Sequence, residues 1–190
     1  MADSDPAASG DSLDVEVLYR EHAAALYAWA CLRLEARMRI VATPEDLTQE
    51  IWLRATRLWA ARDDQSGPPR AWLFTIAKHV LYEVQRVSRG RDGLPVGGTT
   101  KLLAMEQLPV EVTSLTQRLS RDDALRAFLD RAAALDEEER SLLIHVGLEA
   151  MPQADVAVRM GLGYEALAKR WQRLRDRVRA WPTAQSLLGA

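Results

Sequence analysis

Apolar side chains recur at intervals of three and four residues along most of the chain, which is the spacing of one buried face of an α-helix. Within residues 13–39 this stripe consists of Val15, Leu18, His22, Leu26 and Trp29. No segment shows the alternation of apolar and polar positions that a half-buried strand would give. The pattern predicts an all-α protein whose first helix lies in residues 13–39, after a disordered segment of residues 1–12.

A second helix is predicted to begin after Thr43, where several local signals coincide. Thr43 can cap the helix, Pro44 suits its first position, and Asp46 lies three residues after the cap, as in a capping box. Its apolar face would consist of Leu47, Ile51 and Leu58, with Trp52 and Trp59 beside it.

A third helix follows a loop at residues 62–70, which is rich in helix-breaking residues. Its apolar face is the most regular in the chain and consists of Trp72, Leu73, Ile76, Ala77, Val80, Leu81 and Val84. Its opposite face carries Lys78, His79, Tyr82, Glu83, Gln85 and Arg86. The first three helices therefore form a predicted N-terminal unit, with Trp72 in its core.

The helical pattern stops at residues 88–115, where four glycines and a proline between residues 90 and 98 predict a flexible linker. It resumes near Ser120 with the apolar positions Leu125, Phe128, Leu129 and Ala132. Asp136 is placed to cap a further helix, whose first turn is acidic and therefore favoured by the helix dipole. The buried face of that helix would consist of Leu142, Leu143 and Val146.

The last third of the chain has the pattern of a helix-turn-helix. Pro152 opens a short helix with Val156, Ala157 and Met160 facing inward, and Gly161 and Gly163 flank a tight turn around Leu162. The second helix would bury Leu167, Trp171, Leu174 and Val178. Its exposed face would carry Tyr164, Glu165, Ala168, Lys169, Gln172 and Arg173, with Arg170 at the margin.

A recognition helix enters the major groove with its N-terminal end first. Glu165, Ala168, Lys169 and Gln172 are therefore predicted to lie near base edges. Phosphate contacts are assigned to Arg170, Arg173, Arg175 and Arg177. The alternative is a basic surface helix in an ordinary helical bundle.

Composition narrows the possible functions. The chain has 190 residues and a net charge of −2, so any DNA binding must come from local patches. Residues 159–180 hold seven basic and two acidic side chains, whereas residues 122–139 hold seven acidic and two basic ones. Such blocks suit faces with different partners, although solvated helix faces would look the same.

Several classes of protein are not indicated by the residues. The single Cys31 permits no intramolecular disulfide, which favours the reducing cytoplasm, and no run of apolar residues is long enough for membrane insertion. The three histidines do not have metal-ligand spacing, and neither a nucleophile–base pair nor a phosphate-binding loop is visible. The expectation is a binding protein without enzymatic activity, cofactor or metal.

Specific strings of residues add to this pattern. In the first unit four strings follow one another: residues 18–22 (LYREH), residues 26–29 (LYAW), residues 43–54 (TPEDLTQEIWLR), and residues 70–79 (RAWLFTIAKH) continuing to Arg86. Residues 135–141 (LDEEERS) and the helix-turn-helix follow in the second. In this order they resemble the extracytoplasmic-function (ECF, group IV) sigma factors of the sigma-70 family, which are specificity subunits of bacterial RNA polymerase.

The resemblance implies a domain organisation. Residues 13–88 would form sigma domain 2, residues 89–117 the linker, residues 118–182 sigma domain 4, and residues 183–190 a C-terminal tail. The protein would bind core polymerase and direct promoter recognition, DNA melting and initiation, with its two domains holding elements about two turns of duplex apart.

The resemblance also assigns roles to residues. Asp46, Gln49, Glu50 and Arg54 would dock on the clamp helices of the largest polymerase subunit. Minus-ten DNA would meet Arg70, Lys78, His79, Tyr82 and Arg86. Minus-thirty-five DNA would meet Tyr164, Glu165, Ala168, Lys169, Arg170, Gln172 and Arg173. Further implied partners are the flap of the second-largest subunit and an anti-sigma factor.

Two departures from the family pattern bear on DNA sequence preference. His79 stands where the family usually has Asn, and Gly163 replaces the usual hydroxyl cap before the string ALAKR of residues 166–170.

Two rival hypotheses for the function remain. One is a polymerase-independent helix-turn-helix regulator of duplex DNA, which leaves residues 44–54 without a role, and the other is a helical interaction module.

Overall fold

The computed structural model describes residues 7–63, 67–90 and 116–188, with side chains from Val15 onward. All regular secondary structure in these ranges is helical, so the predicted all-α fold is confirmed. The predicted linker lies largely outside the described residues.

The N-terminal unit consists of three long helices and one short turn of 3₁₀-helix. These are α1 (Ala7–Arg33), the 3₁₀ turn (Met38–Ile40), α2 (Pro44–Trp59) and α3 (Pro69–Arg89). Helix α1 includes residues 7–12, for which the sequence predicted disorder, because extending an existing helix requires far less free energy than nucleating one.

The start of α2 has the predicted capping box. The Asp46 amide donates to Thr43 Oγ1 at 3.1 Å, and the Thr43 amide donates to Asp46 Oδ2 at 3.0 Å. The end of α2 differs from the prediction, because Leu58 is exposed and Trp59 turns inward. The Trp59 ring lies edge-on to the Trp72 ring, with 5.6 Å between the ring centroids.

Residues 116–120 of the C-terminal unit are helical, and five α-helices and a π-helix follow between Asp123 and Leu187. They are α4 (Asp123–Ala133), α5 (Glu137–Leu142), the π-helix (Leu143–Leu148), α6 (Gln153–Met160), α7 (Tyr164–Val178) and α8 (Ala184–Leu187). Asp136 caps α5 as predicted, since it accepts a hydrogen bond of 2.8 Å from the Glu139 amide. Helix α8 falls in the segment predicted as a tail, and its Leu187 is fully buried.

The π-helix was not predicted, and Leu188 and Trp171 pack closely on its Gly147. A Cβ atom at Gly147 would lie 2.7 Å from Leu188 Cδ2 and 3.0 Å from Trp171 Cη2. Only glycine therefore lets the C-terminal segment and α7 pack this closely on the π-helix.

The two units are in direct contact, and their buried apolar residues form one continuous core. Helix α1 packs on α2 and α3 on one side and on α4, the π-helix and α8 on the other. The predicted stripe on α1 is therefore too narrow, because Ala23, Ala25, Ala28 and Ala30 are also buried. These small side chains allow helices to approach α1 from several directions.

Candidate nucleic-acid interface and docking surface

The helix-turn-helix has the predicted form. Gly161 adopts a left-handed conformation (φ +66°), which ends α6, and α7 begins at Tyr164. The predicted inward face of α7 is confirmed, with Leu167, Trp171, Leu174 and Val178 all buried. Gly163 is the N-cap residue of α7, but it has no side chain to accept a hydrogen bond from the first amides of this helix.

The opposite face of α7 is open to solvent. Tyr164, Glu165, Lys169, Gln172 and Arg173 are exposed, whereas Ala168 and Arg170 are half-buried. All the residues predicted to face minus-thirty-five DNA therefore lie on one helix, and their exposed members lie along one side.

Acidic residues of α5 neutralise part of the basic surface of α7. Arg170 donates to Glu138, and Arg177 pairs with Glu139 at 2.6 Å. Both arginines were assigned to phosphates from the sequence, but in this structure their charges are already matched. Among the residues described, no ion pair is found for Lys169, Arg173 or Arg175 of α7. Arg175, which the sequence also assigned to phosphate, is half-buried, whereas Lys169 and Arg173 are exposed and supply unpaired positive charge at the surface.

The polar side of α3 also faces solvent. His79, Tyr82 and Arg86 are exposed and Lys78 is half-buried, and they recur at the three- and four-residue spacing of one helix face. Tyr82 has 65% of its surface exposed, which is unusual for a large aromatic side chain and leaves its ring free for stacking.

Arg70 is an exception among the predicted DNA contacts, because it does not lie on that exposed face. Its guanidinium donates to the carbonyl oxygens of Leu148 at 2.9 and 3.1 Å and of Leu187 at 2.6 Å. It also reaches Gly147 O at 3.3 Å and lies over the Phe74 ring. The two helix ends have unpaired carbonyls, and they hold Arg70 between the units.

The predicted docking residues of α2 have unequal accessibility. Gln49 is half-buried and available, whereas Asp46 is engaged in the capping box. Glu50 is buried and accepts a hydrogen bond of 2.7 Å from Arg54 Nε, the pairing that their spacing predicted. Arg54 also binds Glu83 on α3, so it is less free than the sequence suggested.

Sequence reasoning missed the polar contact that joins the two units. Trp29 Nε1 donates to Glu149 Oε1 at 2.8 Å, and Glu149 Oε2 lies 3.1 Å from His145 Nδ1. Burial opposes ionisation of Glu149, but its hydrogen bonds with His145 and Trp29, and the charges of His145 and Lys78, hold its pKa below the usual value. No local signal could reveal a pair 120 residues apart, although the alanines of α1 indicated close packing.

Comparison with known proteins decides the family. Residues 18–90 match the model of Sigma-70 region 2. The chain is 34% identical over 171 residues to "ECF RNA polymerase sigma factor SigL" of Mycobacterium tuberculosis, with 90% of this chain and 89% of that protein covered. The chain belongs to the ECF sigma factors.

Other members of the family are also similar. The ECF sigma factor SigJ of M. tuberculosis is 30% identical over 149 residues, covering 75% of this chain and 44% of that protein. BldN of Streptomyces coelicolor is 28% identical over 144 residues, covering 76% and 51%. These matches favour a sigma factor over a polymerase-independent regulator of duplex DNA.

The protein is thus an alternative RNA polymerase sigma factor, which acts with core RNA polymerase and promoter DNA in transcription initiation. Sigma factors are initiation factors rather than enzymes. Among the described residues of this sigma factor, none of the helices has the length and hydropathy of a membrane span, and no three His, Cys, Asp or Glu side chains are grouped as metal ligands.

Proposed function

We propose that this sigma factor docks on the clamp helices of the largest polymerase subunit through the polar side of α2. In this proposal α3 binds the minus-ten element and α7 binds the minus-thirty-five element. The observation that carries it is the row of exposed polar residues on α3, within the segment that matches Sigma-70 region 2. That row lies directly beside α2, so docking on polymerase brings it to the DNA.

The residues of α3 suit a single-stranded base. Recognition of an unstacked base requires a ring for stacking and polar groups for its edges. Tyr82 supplies an exposed ring, and His79, Lys78 and Arg86 supply donors around it. Capturing a flipped base there would offset a cost of a few kcal/mol for its extrusion, and this is how the protein would drive DNA melting.

On α7 the residues divide by position. Glu165, Ala168, Lys169 and Gln172 occupy the end that enters the major groove and are assigned to base edges, beside Tyr164. Arg173 is assigned to phosphate, because it is exposed and carries no carboxylate partner among the described side chains. Arg170 can contact phosphate in the same way only when its ion pair with Glu138 is broken.

Further partners follow from family membership. The C-terminal unit is proposed to contact the flap of the second-largest subunit, and an anti-sigma factor is proposed as a regulator. The protein would act in the cytoplasm, where bacterial RNA polymerase works.

The proposal is tested by reconstituted run-off transcription with core polymerase. Tyr82→Ala is expected to abolish initiation on duplex promoter DNA but to retain it on a template whose minus-ten region is already unpaired. Tyr82→Phe keeps the ring and is expected to retain most activity on both. Equal loss on both templates would contradict the role of Tyr82 in melting, and transcription independent of the protein would contradict the whole proposal.

A further inference from the structure

The exposed side of α7 carries a hydrogen bond between two of its own side chains. Gln172 Nε2 donates to Asp176, with distances of 3.3 Å to Oδ1 and 3.2 Å to Oδ2. Both residues are exposed, and for Asp176 no ion pair is found among the residues that the structure describes. The amide of Gln172, which is assigned to a base edge, is therefore already held on one side before DNA arrives.

The contact decides which end of the amide is free. An ionised carboxylate only accepts hydrogen bonds, so the group that Gln172 turns toward Asp176 must be its NH₂ rather than its oxygen. Asp176 lies four residues further along α7, which is about 6 Å toward the C-terminal end of the helix. Oε1 of Gln172 is therefore turned the other way, toward the end of α7 that enters the major groove in the proposed function.

The four bases differ in what they offer to this oxygen. In the major groove adenine and cytosine present amino groups, N6 and N4, whereas guanine and thymine present the carbonyl oxygens O6 and O4. Oε1 of Gln172 can accept a hydrogen bond from an amino group, but it is repelled by a carbonyl oxygen. The second N–H of the amide can also donate to N7 of adenine, which has no counterpart in cytosine.

We propose that Asp176 is a positioning residue for the readout of minus-thirty-five DNA. It holds the amide of Gln172 so that α7 selects a base with an amino group, adenine before cytosine, and rejects guanine and thymine at that position. Without Asp176 the amide can turn over and donate from its NH₂ to a carbonyl oxygen instead. The inference rests on the proposed function for the placement of α7 in the groove, and it adds which bases that helix accepts.

The size of the effect follows from the strength of the contact. A hydrogen bond between Gln and Asp one turn apart on a helix biases the side chain by about twofold in water. Bonds to an ionised acceptor become about twice as strong as neutral ones where water is excluded, as at a base edge. Asp176 is therefore expected to contribute about two- to fivefold to the discrimination between amino and carbonyl bases.

The test measures base preference directly with the holoenzyme. Core polymerase carrying each sigma variant is mixed with a pool of duplexes whose minus-thirty-five region is randomised and whose minus-ten region is already unpaired. Bound and unbound DNA are then sequenced. Gln172→Ala identifies the position that Gln172 reads, because preference is lost there. At that position the wild type is expected to favour adenine and cytosine over guanine and thymine on the contacted strand by about tenfold.

Asp176→Asn keeps the size of the side chain but allows both orientations of the amide, because Asn both donates and accepts. It is expected to lower the discrimination by about two- to fivefold at the position of Gln172 alone. It also removes a negative charge, which raises the affinity for all sequences alike. Asp155→Asn, at an exposed position of α6, makes the same change in charge and is expected to leave the discrimination unchanged.

A second variant separates positioning from a structural effect on α7. Gln172→Glu has two acceptor oxygens, so it needs no partner to present an acceptor to the base. Combined with Asp176→Asn it is expected to restore the preference for an amino group, with cytosine now favoured. Damage to α7 caused by loss of Asp176 would not be repaired by changing the reading side chain.

Several outcomes would overturn the inference. These are a wild-type preference for guanine or thymine at the position of Gln172, or a Gln172→Ala variant that changes preference nowhere. Full discrimination in Asp176→Asn, or no recovery in the double variant, would also contradict positioning by Asp176. An equal loss in Asp155→Asn would assign the effect to long-range charge.

Failure of this inference is distinguishable from failure of the proposed function. If the wild-type holoenzyme selects a minus-thirty-five sequence and Asp176→Asn does not alter the selection, α7 still reads DNA and only the role of Asp176 is wrong. If the wild-type holoenzyme selects no sequence in that region, the proposed role of α7 fails, and this inference fails with it.

Discussion

Arg54 and Glu83 join α2 to α3 through two parallel hydrogen bonds of 2.8 and 2.7 Å between the guanidinium and both carboxylate oxygens. Arg54 donates a further bond to Glu50, so it bridges two carboxylates. These bonds to Arg54 hold the pKa of Glu83 below its usual value. A residue that the family pattern assigns to polymerase docking thus also fixes the DNA-facing helix relative to the docking helix.

Substitution of Arg54 is therefore expected to reduce stability as well as docking. Arg54→Met should lower the free energy of unfolding by about 1–3 kcal/mol, because it leaves two carboxylates without their charged donor. A double-mutant cycle with Glu83→Gln should give a coupling energy of about 1–2 kcal/mol in urea unfolding. Arg20→Ala breaks an exposed pair with Glu16 and should cost less than about 0.5 kcal/mol. Equal effects at Arg20 and Arg54 would contradict the bridging role.

The sequence predicted the local features of the fold well. The capping box of Thr43, the cap of Asp136 and the inward face of α7 all depend on residues within a few positions of one another. Such signals are contained in helix periodicity and capping chemistry, which act over one or two turns.

Contacts between distant segments could not be predicted in this way. The family resemblance assigns Arg70 to minus-ten DNA, but its partners are carbonyl oxygens 77 to 117 residues further along the chain. A backbone carbonyl is present at every residue, so the sequence at neither helix end could indicate a contact with Arg70. The ion pair between Arg170 and Glu138 could not be predicted for a similar reason, because each residue alone is typical of a solvated helix face.

Gln49 provides the cleanest test of docking on α2. Gln49→Ala removes a half-buried amide that takes part in no capping or bridging contact described above, so stability should change by less than about 0.5 kcal/mol. Affinity for core polymerase should fall by about tenfold if one interfacial hydrogen-bonding side chain is lost. Fluorescence anisotropy with labelled protein gives the Kd, and thermal unfolding checks the fold.

Asp46→Ala is the informative comparison for that measurement. It should lower stability by about 1 kcal/mol through loss of the capping box. A drop in polymerase affinity for Asp46→Ala with none for Gln49→Ala would contradict docking through Gln49, and it would assign the effect to Asp46 or to the integrity of the start of α2.

Salt dependence distinguishes the arginines of α7. Arg173→Ala should weaken binding to minus-thirty-five duplex across all sequences and reduce the slope of log K against log salt by about one phosphate contact. Arg170→Ala should reduce it less, because Glu138 already neutralises that charge. An unchanged slope for Arg173→Ala would remove it from the phosphate contacts.

Glu138→Gln tests the same neutralisation in the opposite direction. Removing the carboxylate should release Arg170 toward DNA, so both the affinity and the salt slope should increase. Glu137→Gln, an exposed neighbour for which no ion pair is found in the described part of the chain, serves as the control for the change in net charge. Equal gains from both substitutions would mean that long-range charge, not release of Arg170, is responsible.

His22 should make stability depend on pH near neutrality. Burial, together with the positive charge of Arg70, lowers its pKa below the 6.5 of an unperturbed histidine, while Glu21 acts in the opposite direction. Between the lowered pKa and 6.5 the unfolded chain binds more protons than the folded one, so the free energy of unfolding falls as the pH falls through that range. Urea unfolding at pH 7.5 and 5.5 measures the decrease. His22→Gln should make it smaller. The difference between this variant and the wild type isolates His22 from other groups that titrate on acidification, and an identical decrease in both proteins would assign the effect elsewhere.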